Sequence, residues 1–204
     1  MCCGQHESRV GFIISMLYNK MAPSVLPDKL PMRYLPAALS KQDKLRQLQM
    51  LKKSRKQYRT GKYYTRKQLP SFRNKESAHI IKARRIYGVD SITPNPVLAK
   101  ATGCSIAALK KIVRKGEGAY FSSGSRPNQT AHSWGYARLA SSITAGKSAA
   151  VDYGILERGC NHNKRAFRLA EKSRRKYGRG QSHARRIYTN TITSSSRKAD
   201  RGTM

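Results

Sequence analysis

Between Ser40 and Tyr177 the apolar residues recur at helical spacing, and no segment keeps an apolar/polar alternation. Leu45, Leu48 and Leu51 lie three apart with Lys and Arg between them, which predicts a cationic helix with a narrow apolar stripe from Ser40 to about Arg59. Ser40 suits its N-cap, Asp43 favours its positive end, and Gly61 ends it. Ser77 opens a second helix through Ile80, Ile81, Ala83, Ile86 and Tyr87, stopped by Gly88. A third fits Pro94 to Thr102, since proline is tolerated in a first turn, and Gly103 breaks it. Ser105 caps a fourth through Ile106, Leu109, Ile112 and Val113. A Gly/Ser loop from Gly116 to Pro127 then follows. Thr130 starts a fifth helix, with Trp134, Ala137, Ala140, Ser141 and Ile143 at helical spacing, and Gly146 stops it. Ser148 restarts a helix through Val151 and Ile155 to Gly159, and a last basic helix fits Asn163 to Lys176.

The pattern predicts a mostly α fold without a sheet: a small helical domain with a Gly/Ser-rich loop, flanked by basic, partly disordered arms. Its expected parts are a disordered leader (1–31), a basic helical arm (32–75), a helical core (76–160), and a basic C-terminal helix with a disordered tail (161–204). Prolines 23, 27, 31 and 36 break the leader into extended pieces. Beyond Tyr177 the Gly, Ser, Thr and Arg mixture buries too little apolar surface to offset ordering entropy. Lys82-Ala83-Arg84-Arg85-Ile86-Tyr87 is echoed by His183-Ala184-Arg185-Arg186-Ile187-Tyr188, by chance or as two similar phosphate-gripping turns.

Charge changes the picture more than anything else. The chain has 42 Lys and Arg against 10 Asp and Glu, a net +32. From Lys41 to Lys75 the net charge is +12 and from Asn161 to Met204 it is +11, whereas Glu76 to Cys160 carries only +7. Such a chain repels itself, and a polyanion relieves that repulsion, nucleic acid being the obvious one. The run Val10 to Tyr18 is far too short to span a bilayer. Cys2 and Cys3 are adjacent while Cys104 and Cys160 are far apart, which forms no disulfide framework and points to a reducing compartment.

The basic arms carry the strongest functional signal. Lys52, Lys53, Arg55, Lys56, Arg59 and Lys62 on one arm, and Arg174, Arg175 and Lys176 on the other, are candidate phosphate contacts. Tyr58, Tyr63, Tyr64 and Tyr177 among them could stack on exposed bases or pack on sugars. The stretch Leu98 to Ile112 has helix-turn-helix spacing: Ala99 is small, Gly103 turns, and Leu109 and Ile112 pack. Lys110, Lys111, Arg114 and Lys115 would then face phosphates, yet no Asn, Gln or Arg lies early in the second helix to read bases. In the Gly/Ser loop, Gly116 and Gly118 would permit an anion-cradling nest, to which Ser122, Ser123, Ser125 and Arg126 add donors.

Other chemistries lack support. Ala145-Gly146-Lys147-Ser148 resembles the end of a P-loop, but the required earlier glycine is Ser141 and no strand precedes it. Cys160-x-His162 is a lone half-site, so neither a metal nor a cofactor is expected. Asp152 and Glu157 lie five apart and do not share a helical face, so no catalytic pair is expected.

The order Tyr58-Arg59-Thr60-Gly61-Lys62-Tyr63, Lys115-Gly116-Glu117-Gly118-Ala119-Tyr120, Ser122 to Thr130, Ser133-Trp134-Gly135, Ala137 to Ser141, Gly146-Lys147 and Asp152 resembles an uncharacterised domain family. That family is encoded by large double-stranded DNA viruses of algae and protists, with shorter relatives in tailed phages. The resemblance runs from about Met32 to Cys160 and leaves Met21 and Met32 as alternative starts. It implies a viral context and a virion or DNA-packaging role. Among the matched residues, Trp134 is expected to anchor the core, with Ala137 and Ala140 allowing close helix approach. Asp152 is expected to partner Arg126 or Arg138 internally.

The expectation is therefore a virus-encoded, non-enzymatic protein that binds nucleic acid through phosphates with little sequence preference. DNA ranks ahead of RNA, and the role is packaging or condensation. The alternative is a minor virion protein contacting acidic capsid subunits, and a nuclease ranks third. The expected location is the virion or the host nucleus or cytoplasm, without secretion.

Overall fold

The computed structural model describes residues 29–180 and 186–188. The remainder of the leader, with Cys2 and Cys3, and most of the tail beyond Gly180 lie outside the described residues. The fold is mostly helical. In chain order the elements are β1 (Lys29–Pro31), a 3₁₀ turn (Met32–Tyr34), α1 (Lys41–Arg59), α2 (Ala78–Tyr87), α3 (Pro96–Thr102) and α4 (Ile106–Ser122). There follow α5 (Ala131–Ile143), α6 (Lys147–Val151), α7 (Tyr153–Gly159), α8 (Arg165–Tyr177) and β2 (Arg186–Tyr188).

Caps explain four of the eight helix starts among the described residues and two of the ends. Ser40 accepts from the amide of Asp43, Asn95 from Leu98, Ser105 from Ala108 and Thr130 from Ser133, each meeting an otherwise unsatisfied first-turn donor. Ser133 returns the bond to the Thr130 amide, closing a capping box. Gly88 and Gly103 end α2 and α3 in the left-handed conformation.

The main core lies where α4 crosses α5. Leu98, Leu109, Ile112, Leu139, Ile143 and Leu156 are fully buried there, and α8 closes the far side with Phe167 and Ala170. At the crossing, a Cβ on Gly116 would lie 2.7 Å from the Gly135 Cα, and one on Gly135 would lie 2.9 Å from the Val113 carbonyl. Two facing glycines thus set how closely the helices approach. The expected Gly/Ser loop is corrected on this point: Gly116 to Ser122 is the last part of α4, and only Ser123 to Gln129 is irregular. Each helical glycine costs about 1 kcal/mol in propensity, which the close crossing offsets.

Trp134 is also displaced from its expected role. It is half-buried and leaves the main core to Leu139 and Ile143. Its ring meets Tyr34 edge-on at 6.1 Å, packing on a second cluster of Leu30, Tyr34, Leu35, Leu48 and Leu51. Ile187 joins that cluster because β1 and β2 pair antiparallel, with Leu30 opposite Ile187. The expectation of no sheet is corrected by this two-stranded clasp, which also takes Lys29–Pro31 out of the leader and Arg186–Tyr188 out of the tail. Three-residue strands are too short to leave an alternating pattern.

Cys104 and Cys160 are joined by a disulfide. The amide of Ser105 donates to the Gly159 carbonyl at 2.7 Å and that of Asn161 to the Gly103 carbonyl at 2.8 Å. The cysteines are therefore an antiparallel, non-hydrogen-bonded pair, the arrangement that brings Cα atoms closest. The expectation of no disulfide is overturned: a separation of 56 residues hides a contact that only the packing of α3, α4, α7 and α8 creates.

Candidate nucleic-acid interface

Helix α1 presents two unlike faces. Its inward face buries Leu48, Met50 and Leu51, as a stripe of Leu45, Leu48 and Leu51 predicts in part, with Leu45 only half-buried. That face also buries polar groups the stripe does not reveal. Gln47 donates to the carbonyls of Tyr34 and Ser125 at 3.3 and 3.4 Å. Ser54 donates to the Phe121 carbonyl at 3.1 Å. The Asp43 carboxylate accepts from the Ser71 amide and hydroxyl, at 3.1 and 2.6 Å, and these bonds hold it below the usual carboxylate range. The outward face carries Lys52, Lys53, Lys56 and Arg59, continued by Lys62, all exposed.

Where α1 ends, the chain turns at Gly61 (φ 73°), with the amides of Thr60 and Lys62 donating to the Gln57 carbonyl and that of Gly61 to Tyr58. This turn folds Tyr63 back over Tyr58. Tyr63, Tyr58 and Phe121 form one ring cluster: Tyr63 is edge-on to Phe121 at 5.0 Å and to Tyr58 at 6.0 Å, while Tyr58 and Phe121 are parallel. Gly118 lies beside this cluster, and a Cβ on it would make an ordinary contact with the Tyr58 hydroxyl at 3.4 Å. Neither Gly116 nor Gly118 forms an anion nest, because both are inside α4. Tyr63 remains 71% exposed. Lys53 sits over the neighbouring Tyr64 ring at 4.7 Å.

The end of α4 leaves carbonyls without helical partners, and cations from the α1 side meet them. Arg66, which sequence reasoning passed over, is buried against the Tyr120 ring at 3.7 Å. It donates to the Tyr120 carbonyl at 3.1 Å, the Ser54 hydroxyl at 3.2 Å and the Ser125 hydroxyl at 2.7 Å. Burial depresses its pKa, an effect that neighbouring tyrosines oppose. Arg55, a candidate phosphate contact, is half-buried and donates to the Ser123 carbonyl at 2.9 Å. Both complement the negative end of the helix.

The irregular segment between α1 and α2 is held by Asn128 (φ 56°). Its side chain accepts from the Leu69 amide at 2.7 Å and donates to the carbonyls of Leu69 and Phe72 at 3.0 and 2.6 Å. Asn74 donates to the Asn128 carbonyl. Ser125, placed in the expected nest, is buried and engaged with Arg66, and Arg126 alone points outward from this loop as an exposed cation.

The helix-turn-helix spacing corresponds to α3, the left-handed Gly103 turn and α4. Gly103 is needed twice: its φ is 71°, and a Cβ there would lie 2.4 Å from Lys164 Cγ. Lys110, Lys111 and Arg114 are exposed along α4. Lys115 is exposed too, but reaches Asp152 at 2.9 Å. Arg138 binds the buried Asp152 with two hydrogen bonds of 2.8 Å, and Ser142 adds a third at 3.0 Å. Arg126 takes no part in that cluster.

The second basic patch is the last turn of α8, where Arg174, Arg175 and Lys176 are exposed and favourable to the helix end. Arg174 and Arg175 line a shallow hollow with Tyr153 and Glu171, and Arg174 lies 5.0 Å from the Tyr153 ring centre. Tyr177 is half-buried, with Lys147 and Lys176 within 5.6 Å of its ring centre. Gly146, in the P-loop-like tetrapeptide, precedes α6 directly after α5, and a Cβ there would strike Ser141. Among the described residues, no three His, Cys, Asp or Glu side chains converge as metal ligands. No described helix is long and apolar enough to cross a membrane.

Residues 31–165 match a family of unknown function, DUF5824, and the chain belongs to that family. No curated protein and no solved structure matches the chain.

Proposed function

We propose that this member of DUF5824 binds nucleic acid through its phosphates, with little sequence preference and without catalysis. The observation that carries the reading is the set of exposed cations on α1, just beyond its end, and on α4. Lys52, Lys56, Arg59, Lys62, Lys110, Lys111 and Arg114 are all exposed and have no carboxylate partner among the described residues. In a chain of net charge +32 such cations repel one another, and a duplex relieves that repulsion by exchanging its condensed counterions for them. The finer reading, a virus-encoded packaging or condensing protein with DNA ahead of RNA, rests on the sequence resemblance.

Titration of the protein onto a duplex across a range of salt tests the reading. If about 8 phosphates are neutralised, log affinity falls against log salt with a slope near −7. A slope near zero removes the proposal.

The second reading is a minor virion protein whose cations contact acidic capsid subunits. The Cys104–Cys160 disulfide favours it over a free cytosolic protein, because such bonds persist on particles and in oxidising compartments. Cross-linking in purified particles separates the two readings, with contacts confined to coat protein supporting the second.

A further inference from the structure

The aromatic cluster at the end of α1 differs in kind from the cations around it. Phosphate binding accounts for Lys56, Arg59 and Lys62, but it gives no reason for Tyr63 to stand 71% exposed against Tyr58 and Phe121. The arrangement is built. The Gly61 turn fixes the direction of Tyr63, Tyr58 lies parallel to Phe121, and Phe121 is set at the end of α4, whose carbonyls Arg66 and Ser54 secure. Behind Phe121, Tyr120 is fully buried and edge-on at 5.0 Å, so the support for the platform is rigid.

We propose that Tyr58, Tyr63 and Phe121 form a base-stacking platform for single-stranded nucleic acid, with Lys56, Arg59 and Lys62 gripping the adjoining phosphates. This rests on the nucleic-acid reading above and adds a substrate class to it. In a duplex the base faces are covered by their neighbours, so an exposed ring has nothing to stack on. An unpaired base offers a face of any identity, which suits a surface without donors arranged to read base edges. Charge complementarity supplies the rest, since the rings are bordered by cations and the cluster includes no carboxylate.

The test compares the full chain with Tyr63→Ala and Tyr63→Phe by fluorescence anisotropy, using a labelled oligothymidine and a duplex of the same length. Tyr63 is 71% exposed, so both variants should fold, with Tyr63→Phe melting as the wild type does and Tyr63→Ala melting slightly lower for its lost contacts with Tyr58 and Phe121. Tyr63→Ala is expected to weaken oligothymidine binding roughly 5- to 100-fold, the loss of one stacked base, while leaving duplex affinity and the salt slope unchanged. Tyr63→Phe should bind the oligothymidine as the wild type does. Unchanged single-strand affinity in Tyr63→Ala, or an equal loss on both probes, overturns the platform while the phosphate reading stands. Absence of binding to either probe by the wild type is a different result, and it removes the phosphate reading and the platform together.

Discussion

Asp152 is a buried anion in a chain of net charge +32, held by Arg138, Ser142 and Lys115 at once. It joins the junction of α6 and α7 to α5, so its charge serves packing. Replacing it with Asn keeps the volume but leaves Arg138, whose side chain is only 18% exposed, short of its counter-charge. The expected cost is about 3 kcal/mol, read from chemical denaturation of Asp152→Asn against wild type. An internal partnership for Asp152 was legible because acids are scarce and the family pattern contains it, although Arg138 and Arg126 stood equal as partners. Arg66 was not legible. Nothing local separates it from the solvated cations beside it, and only the position of the α4 end shows which arginine is enclosed. The same holds for Asp43, Gln47 and Ser54, polar residues whose burial depends on loops distant in sequence.

At the scale of elements, capping residues made the helix starts readable, since Ser40, Ser77, Ser105 and Thr130 all precede helices. Helix ends marked by glycine were less secure. Gly88 and Gly103 end helices with positive φ, but Gly116 and Gly118 lie within one. Composition cannot distinguish a glycine that turns the chain from one that admits a neighbouring helix. Gly116→Ala should therefore destabilise despite alanine's better helix propensity, because its Cβ would meet backbone at 2.7 Å. The expected loss is about 1–3 kcal/mol by thermal or chemical unfolding, and a gain in stability would contradict the close crossing.

For the whole molecule, charge distribution suggested a partner class but not a shape. The sequence divided the chain into arms and centre, whereas α1 packs on α4, α8 closes over α5, α6 and α7, and β1 pairs with β2. The disulfide was the largest omission, because cysteine spacing carries no information about tertiary proximity. Replacing both cysteines, Cys104→Ser with Cys160→Ser, should cost up to about 4 kcal/mol if the bond acts by restricting the unfolded chain. The melting temperature should then fall by on the order of 10 °C, with a similar shift when the wild type is reduced.

The disulfide also decides how the chain carries load. A nucleic acid held at both α1 and α8 and then stretched would pull on residues that flank the Cys104–Cys160 bond. Once the packing of α1 on α4 and of α8 on its neighbours gave way, tension would pass along the chain from one cysteine directly to the other, and the segment from Ser105 to Gly159 would bear none of it. The 56-residue separation between the cysteines corresponds to roughly 190 Å of extended chain that stays out of reach while the bond is intact. Reduction would release that length, turning a short tether into a long one without any change in what its ends grip.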